Sequence, residues 1–200
     1  ALPWIKNLTG KTVVIKYGGA AMVDEQLRRD VMSDIVLLKI IGMRPVIVHG
    51  GGKAINEALS HYDIPVEFKN GQRVTTPEAM DIVREVLGGK VNQELVAAIN
   101  QHGNLAVGIS GSDAGTLIAS TLDPELQRVG KIESVNVDYI ERLIDGEYIP
   151  VIATIAKGED GGFYNINADI AAGAIAGALR AHKVIFLTDV DGPVSYTHLR

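Results

Sequence analysis

Cysteine is absent from the 200 residues, which removes disulfides, thiolate catalysis and cysteine-ligated zinc together. The absence fits a reducing, cytoplasmic compartment. Basic charge is also not in excess. Nineteen lysines and arginines against 24 aspartates and glutamates leave a formal charge of −5, a poor endowment for wrapping nucleic acid or an anionic membrane surface. No apolar run approaches the roughly 18 residues that a membrane span requires, although 46% of the chain is hydrophobic. The five histidines (49, 61, 102, 182 and 198) show no metal-ligand spacing, so no protein-held metal is expected. Internal repeats and low-complexity linkers are missing too. Glycine is what the chain has in surplus, 22 residues of 200 against a usual share of about 7%, and its clusters mark where chemistry is to be sought.

The chain is long enough to bury a substantial core. Five short β-branched-rich runs (12–16, 46–49, 105–109, 149–153 and 184–188) are nearly continuous rather than alternating, as strands covered on both faces are. Helical spacing separates them. Leu27, Val31, Ile35 and Leu38 line one face of a helix expected to begin near Asp24. Thr76-Pro77-Glu78 has the hydroxyl, proline and acid of a helix start. Ile82, Val83, Val86 and Leu87 continue that face, with helix expected to resume over 91–101 after Gly88-Gly89. Asn167 is placed to cap a last helix, rich in alanine, through Ala181. Segments 64–75 and 116–137 read as β-hairpins at the ends of the sheet, and 157–163 as a tight hairpin. The expectation is an α/β fold: a three-layer αβα sandwich with a mainly parallel central sheet and peripheral β-hairpins.

The glycine clusters fall where such sheets bind ligands, beyond the carboxyl ends of strands. Lys16-Tyr17-Gly18-Gly19-Ala20 offers closely approaching amides and a point charge for phosphate, or an ordinary glycine turn beside a snorkelling lysine. His49-Gly50-Gly51-Gly52-Lys53 runs into a helix start, where amides and dipole both favour an anion. It is no Walker loop, since Ile47 and Ala54 stand where a glycine and a hydroxyl belong, and no dinucleotide fingerprint, since Ile55 replaces the third glycine. His49 itself reads as a hydrogen-bonded strand-end residue. Arg73, within Asn70-Gly71-Gln72-Arg73-Val74-Thr75, suits bidentate clamping of a carboxylate and equally suits a solvated hairpin. Asn165-Ile166-Asn167-Ala168-Asp169 either caps the last helix or supplies Asn165 to a substrate and Asp169 to a lysine. Thr188-Asp189-Val190-Asp191-Gly192 could meet a nucleotide or turn the chain. Two glycine-rich strand ends with a lysine and an arginine, and no nucleophilic thiol or metal cluster, point to phosphoryl chemistry by electrostatic stabilisation.

These four motifs, Val14-Ile15-Lys16-Tyr17-Gly18-Gly19, Val46-Ile47-Val48-His49-Gly50-Gly51-Gly52, the arginine turn at 70–75 and Asn165-Ile166-Asn167-Ala168-Asp169, resemble the N-acetyl-L-glutamate kinases of the amino acid kinase superfamily, in sequence and in order. The resemblance implies transfer of the ATP γ-phosphoryl group to the side-chain carboxylate of N-acetyl-L-glutamate, in arginine biosynthesis. It implies catalytic roles for Lys16, Gly19 and Asp169 and substrate contacts from Gly51, Gly52, Arg73 and Asn165. Lys16, Gly18, Gly19, Thr188 and Asp189 would meet the nucleotide, and magnesium would arrive with ATP. A homo-oligomer, dimer or hexamer, is implied, with no nucleic-acid or membrane partner. Related kinases acting on N-acetyl-aminoadipate or another acid, and a non-catalytic amino-acid-binding module, are the competing readings.

By the same resemblance residues 1–177 form an acetylglutamate-binding domain and 178–192 begin an incomplete ATP-binding domain. The run 193–200 departs from the family pattern and reads as a non-native tail. The chain starts at Ala1 without methionine, and residues 2–6 look like the end of a helix. A fragment of a longer protein is therefore expected, catalytically inactive by itself, with its last strand left as an open sheet edge.

Overall fold

The structure, a computed structural model, describes residues 2–22, 24–69 and 71–187. Asn70, Thr188, Asp189 and the 193–200 run lie outside the described residues. Among the described residues seven α-helices, a π-helical turn and eleven strands, with three short 3-10 turns between them, follow one another: α1 (Leu2–Leu8), β1 (Thr12–Tyr17), α2 (Glu25–Ile40), β2 (Arg44–His49), α3 (Gly52–His61), β3 (Phe68–Lys69), β4 (Gln72–Arg73), α4 (Pro77–Arg84), a π-helical turn (Glu85–Val91), α5 (Asn92–Asn100), β5 (Ala106–Ser110), β6 (Leu117–Thr121), β7 (Gly130–Val135), α6 (Asp138–Asp145), β8 (Ile149–Ala153), β9 (Ile155–Gly158), β10 (Phe163–Asn165), α7 (Ala168–Ala178) and β11 (Lys183–Phe186). The central sheet has the order β11-β1-β2-β8-β5 and every pairing in it is parallel.

Alternate residues of the inner strands enter different cores, the period-two consequence of the pleat. Val13, Ile15, Tyr17, Ile47 and Val151 pack with α2, α3 and the long helical segment from α4 to α5. Val14, Val46, Val48 and Ile152 pack with α6, α7 and the second sheet. This is the expected αβα layering. The α7 face is almost all alanine because Ala171 and Ala172, fully buried, let the helix close on β1 and β2, its neighbours in space.

Local signals explain the helix starts. Asp24 caps α2 by accepting from the Leu27 amide at 2.8 Å, and Thr76 caps α4 by accepting from Ala79 at 3.1 Å. Asn167 accepts from the amides of Asp169 and Ile170 at 2.9 and 3.2 Å, satisfying two of the donors every helix start leaves over.

Five expectations need correction. Leu27 is exposed, and the face of α2 that reaches the core carries Met32, Ile35 and Val36. Gly88-Gly89 do not interrupt the helix. They lie inside the π-helical turn, and helix continues into α5, because Leu87 and Val91 are held in the core and packing outweighs glycine's weak propensity. The 116–137 segment forms the expected hairpin, β6 antiparallel to β7, but not at an end of the central sheet. With β9 and β10 it forms a separate four-stranded sheet, order β10-β9-β6-β7, in which β6 pairs parallel to the distant β9. The last helix stops at Ala178, short of Ala181. Finally β11, read as covered on both faces, is an edge strand with Val184, Ile185 and Phe186 exposed, which matches the open edge anticipated for it.

Candidate functional site

Strands β1 and β2 are neighbours with Tyr17 opposite His49, so both glycine turns leave the sheet side by side at its carboxyl edge. The start of α7 closes in from above. Ala168 Cβ lies only 3.3 Å from where a Gly50 Cβ would be. Lys16, Gly18, Gly19, Gly51, Gly52, Arg73 and Asn165 all line the one cleft, of about 250 Å³, that these segments enclose. Asp169 reaches it through Lys16, whose Nζ stands 3.1 Å from Asp169 Oδ1. Thr188 and Asp189 are the expected nucleotide contacts outside the described residues.

The two ends of the cleft differ in chemistry. At one, Lys16 folds back over Gly18, where a Cβ would come within 2.8 Å of Nζ. Its side chain is 16% exposed and that of Asp169 60%. A pair open to water on one side contributes little stability. Gly19 has φ +65°, a left-handed conformation glycine adopts without strain.

At the other end Arg73 is 8% exposed. Its Nη2 donates to the Gly52 carbonyl at 3.1 Å and its Nη1 to Asn56 Oδ1, and the guanidinium lies 4.8 Å from the Phe68 ring centroid. Burial pulls its pKa below the usual arginine value. Among the described residues no carboxylate pairs with it. A buried guanidinium held by neutral acceptors alone is a receptor for an anion, because an arriving carboxylate offsets the cost of its desolvation. Asn165 Nδ2 donates to Thr75 Oγ1 at 3.3 Å, and Thr75 Oγ1 donates to the Arg73 carbonyl at 3.1 Å. One chain of hydrogen bonds thus ties the arginine turn to the segment before α7.

His49 is fully buried behind the turn, and desolvation pushes its pKa down to about 4, so it stands neutral at pH 7 as a strand-end residue. Sequence reasoning missed Asn56, which orients Arg73, Leu87 and Thr154, which line the cleft, and Asn92, whose amide lies against His49. Asn92 had a signal. Asparagine is a poor helix-interior residue, and here it interrupts an apolar stripe of Val91 and Leu95.

An open parallel sheet with two glycine turns, a lysine and a buried arginine at its carboxyl edge defines an α/β protein whose cleft is chemically suited to an anion. The pattern of the amino acid kinase family matches residues 11–194, and the chain belongs to that family. It is 54% identical over 195 residues to an acetylglutamate kinase from Caldanaerobacter subterraneus, covering 96% of this chain and 65% of that protein. It is also 54% identical over 199 residues to one from Corynebacterium jeikeium, covering 96% and 63%. The chain therefore spans somewhat under two thirds of the length of these curated relatives. Among solved structures, smu.665 from Streptococcus mutans superposes with a TM-score of 0.85 at 34% identity, over 92% of this chain and 74% of that one. The N-acetylglutamate synthase of Neisseria gonorrhoeae shares the fold at 22% identity, with a TM-score of 0.81 over 96% of this chain and 44% of its own. Among the described residues no helix is long and apolar enough to cross a membrane.

Proposed function

We propose that this chain carries the acid-binding part of an acetylglutamate kinase, which phosphorylates the side-chain carboxylate of N-acetyl-L-glutamate in arginine biosynthesis. The observation that carries the reading is the buried Arg73, without a carboxylate partner among the described residues, facing the same cleft as Lys16. Arg73 clamps the substrate α-carboxylate and Asn165 meets its amide portion. Amides of Gly51 and Gly52 line the pocket. The reacting side-chain carboxylate then points toward Lys16 and Gly19, where the ammonium and the turn amides stabilise charge on the transferring phosphoryl group. Asp169 keeps Lys16 aimed and takes no proton. A carboxylate nucleophile is already ionised at neutral pH, so no general base is needed. ATP with its magnesium supplies the phosphoryl group when bound, and the Lys16 ammonium with the Gly18–Gly19 amides fits a terminal phosphate. In this reading residues 1–177 are the acid-binding domain and 178–192 begin the nucleotide-binding one. The close acetylglutamate kinase relatives support the choice of acid.

Thermal unfolding of the chain with N-acetyl-L-glutamate, against glutamate, aspartate and N-acetyl-aminoadipate, tests the assignment. A ligand at a hundred times its dissociation constant stabilises by about 2.7 kcal/mol. Selective stabilisation by N-acetyl-L-glutamate, abolished in Arg73→Ala, is the expected result. A cooperative transition that none of the acids shifts would remove the assignment.

A further inference from the structure

We infer that Asn92 and His49 act as a positioning pair for the second glycine turn: the Asn92 amide leaves the imidazole proton only Nδ1 to occupy, and Nδ1–H holds the Gly50 carbonyl so that the amides after it face the anion. The inference rests on the anion-binding reading of that turn.

Asn92 opens α5 and is 2% exposed. Its Nδ2 lies 2.9 Å from the Val151 carbonyl, 3.4 Å from the Ile109 carbonyl and 3.0 Å from His49 Nε2. Turned over, the side chain would set its own oxygen against two carbonyl oxygens, so the two carbonyls decide the amide's orientation. Of the two amide hydrogens one serves the Val151 carbonyl and the other His49 Nε2, the two nearest acceptors, with the Ile109 carbonyl farther off. An Nε2–H would face that NH2 with nothing to accept it, so Nε2 carries no proton. Burial keeps the ring neutral, and its single N–H is left at Nδ1, 2.9 Å from the Gly50 carbonyl oxygen. That carbonyl is thereby engaged by a buried ring that does not line the cleft.

The fold makes room for this arrangement at two other glycines. A Cβ on Gly108 of β5 would fall 2.0 Å from Asn92 Oδ1, and one on Gly51 would fall 2.7 Å from Leu87 Cδ2 and 3.3 Å from Val91 Cγ2. Leu87 and Val91 belong to the π-helical turn that ends where α5 begins. Such a turn adds a residue to the helical repeat and is frequent at functional sites. Here it brings two apolar side chains against the glycine turn and the Asn92 amide onto His49. Leucine at position 92 would suit the buried stripe better, and would leave the buried Nε2 without a donor.

The test has two parts. Nitrogen-15 NMR of the imidazole in the unmodified chain at pH 7 is expected to show a neutral ring protonated at Nδ1. Protonation at Nε2, or an imidazolium, overturns the inference, and neither result depends on any ligand. Calorimetric titration with N-acetyl-L-glutamate then compares two variants. In His49→Asn the side-chain nitrogen takes the place of Nδ1 and still serves Gly50, whereas in His49→Gln the terminal group takes the place of Nε2 and serves only Asn92. Positioning predicts near-normal affinity for His49→Asn and roughly tenfold weaker binding for His49→Gln. The reverse order, or equal losses, would reduce the pair to a tie between helix and sheet. Should the unmodified chain bind no N-acetyl-L-glutamate, the substrate assignment fails separately. The pair is then judged by the Gly51 and Gly52 amide resonances, which must move in His49→Gln and stay in His49→Asn.

Discussion

The burial of His49 has a thermodynamic consequence that can be measured without any ligand. In the folded chain desolvation lowers its pKa from 6.5 to about 4, and the unfolded chain restores the ordinary value. Between those two values the unfolded state binds a proton that the folded state does not, so stability falls as pH falls through this window and is fully kept above it. The whole difference amounts to about 3 kcal/mol, of which about 2 kcal/mol is lost between pH 7 and pH 5. Its hydrogen-bond partners, Asn92 and the Gly50 carbonyl, carry no charge to offset the penalty. Urea unfolding of the chain and of His49→Asn at both pH values isolates the effect, because every other titrating group is common to the two proteins. Stopping at pH 5 also avoids Asp160, whose carboxyl is held below its usual range first by the Arg128 guanidinium and whose contribution is lost only at lower pH. The chain should lose about 2 kcal/mol more than the variant does. Equal losses would show that the ring titrates normally in the fold, and the argument from its burial would fail.

Other perturbations follow from the packing. Asp169→Asn should leave stability within about 1 kcal/mol, because the Lys16 pair is solvent-screened, while lowering phosphoryl transfer if the proposed function holds; a large shift in the urea midpoint would make the pair structural instead. Gly111→Ala places a Cβ 2.6 Å from the Ile155 carbonyl oxygen and 2.5 Å from Leu117 Cδ1, and should cost about 2 kcal/mol or more by chemical denaturation. Ala172→Leu, at a fully buried position of α7, should overpack the helix against the sheet and cost about 1–3 kcal/mol; a neutral result would mean that α7 can lift off β1.

Much of the fold was legible because the relevant signals are local. The parallel strands declare themselves as β-branched runs, three of them (β1, β2 and β5) ended by glycine, and Asp24, Thr76 and Asn167 all cap the helices they were expected to start. What the sequence concealed depends on contacts between distant segments. The second sheet needs β6 beside β9, a pairing no hairpin signal announces. The π-helical turn was hidden because Gly88-Gly89 looks like a break to local propensity, while the burial of Leu87 and Val91 carries the helix through it. On α2 the spacing of Leu27, Val31, Ile35 and Leu38 identified a helix correctly but not which residues dip deepest. Periodicity marks a stripe but not its deepest members, since residues three or four apart still differ by about 40–60° about the axis.

The site shows the same division. Lys16 and the glycine turns could be read as anion-binding elements because their place at strand ends is a local property. Arg73 could not be separated from a solvated hairpin arginine, since the distinction is its burial against Asn56, Gly52 and Phe68, residues contributed by α3, its N-terminal cap region and β3. Asp169 likewise reads as an ordinary first-turn acid until α7 is packed beside β1 and brings it to Lys16. In both cases the residue type is common and the chemistry comes from what surrounds it. A guanidinium with only neutral acceptors stands at one end of the cleft and an ammonium paired with one exposed carboxylate at the other. On the proposed reading these two cations would favour a ligand with two carboxylates and no ammonium, which N-acetylation makes of glutamate by removing the amino group's charge.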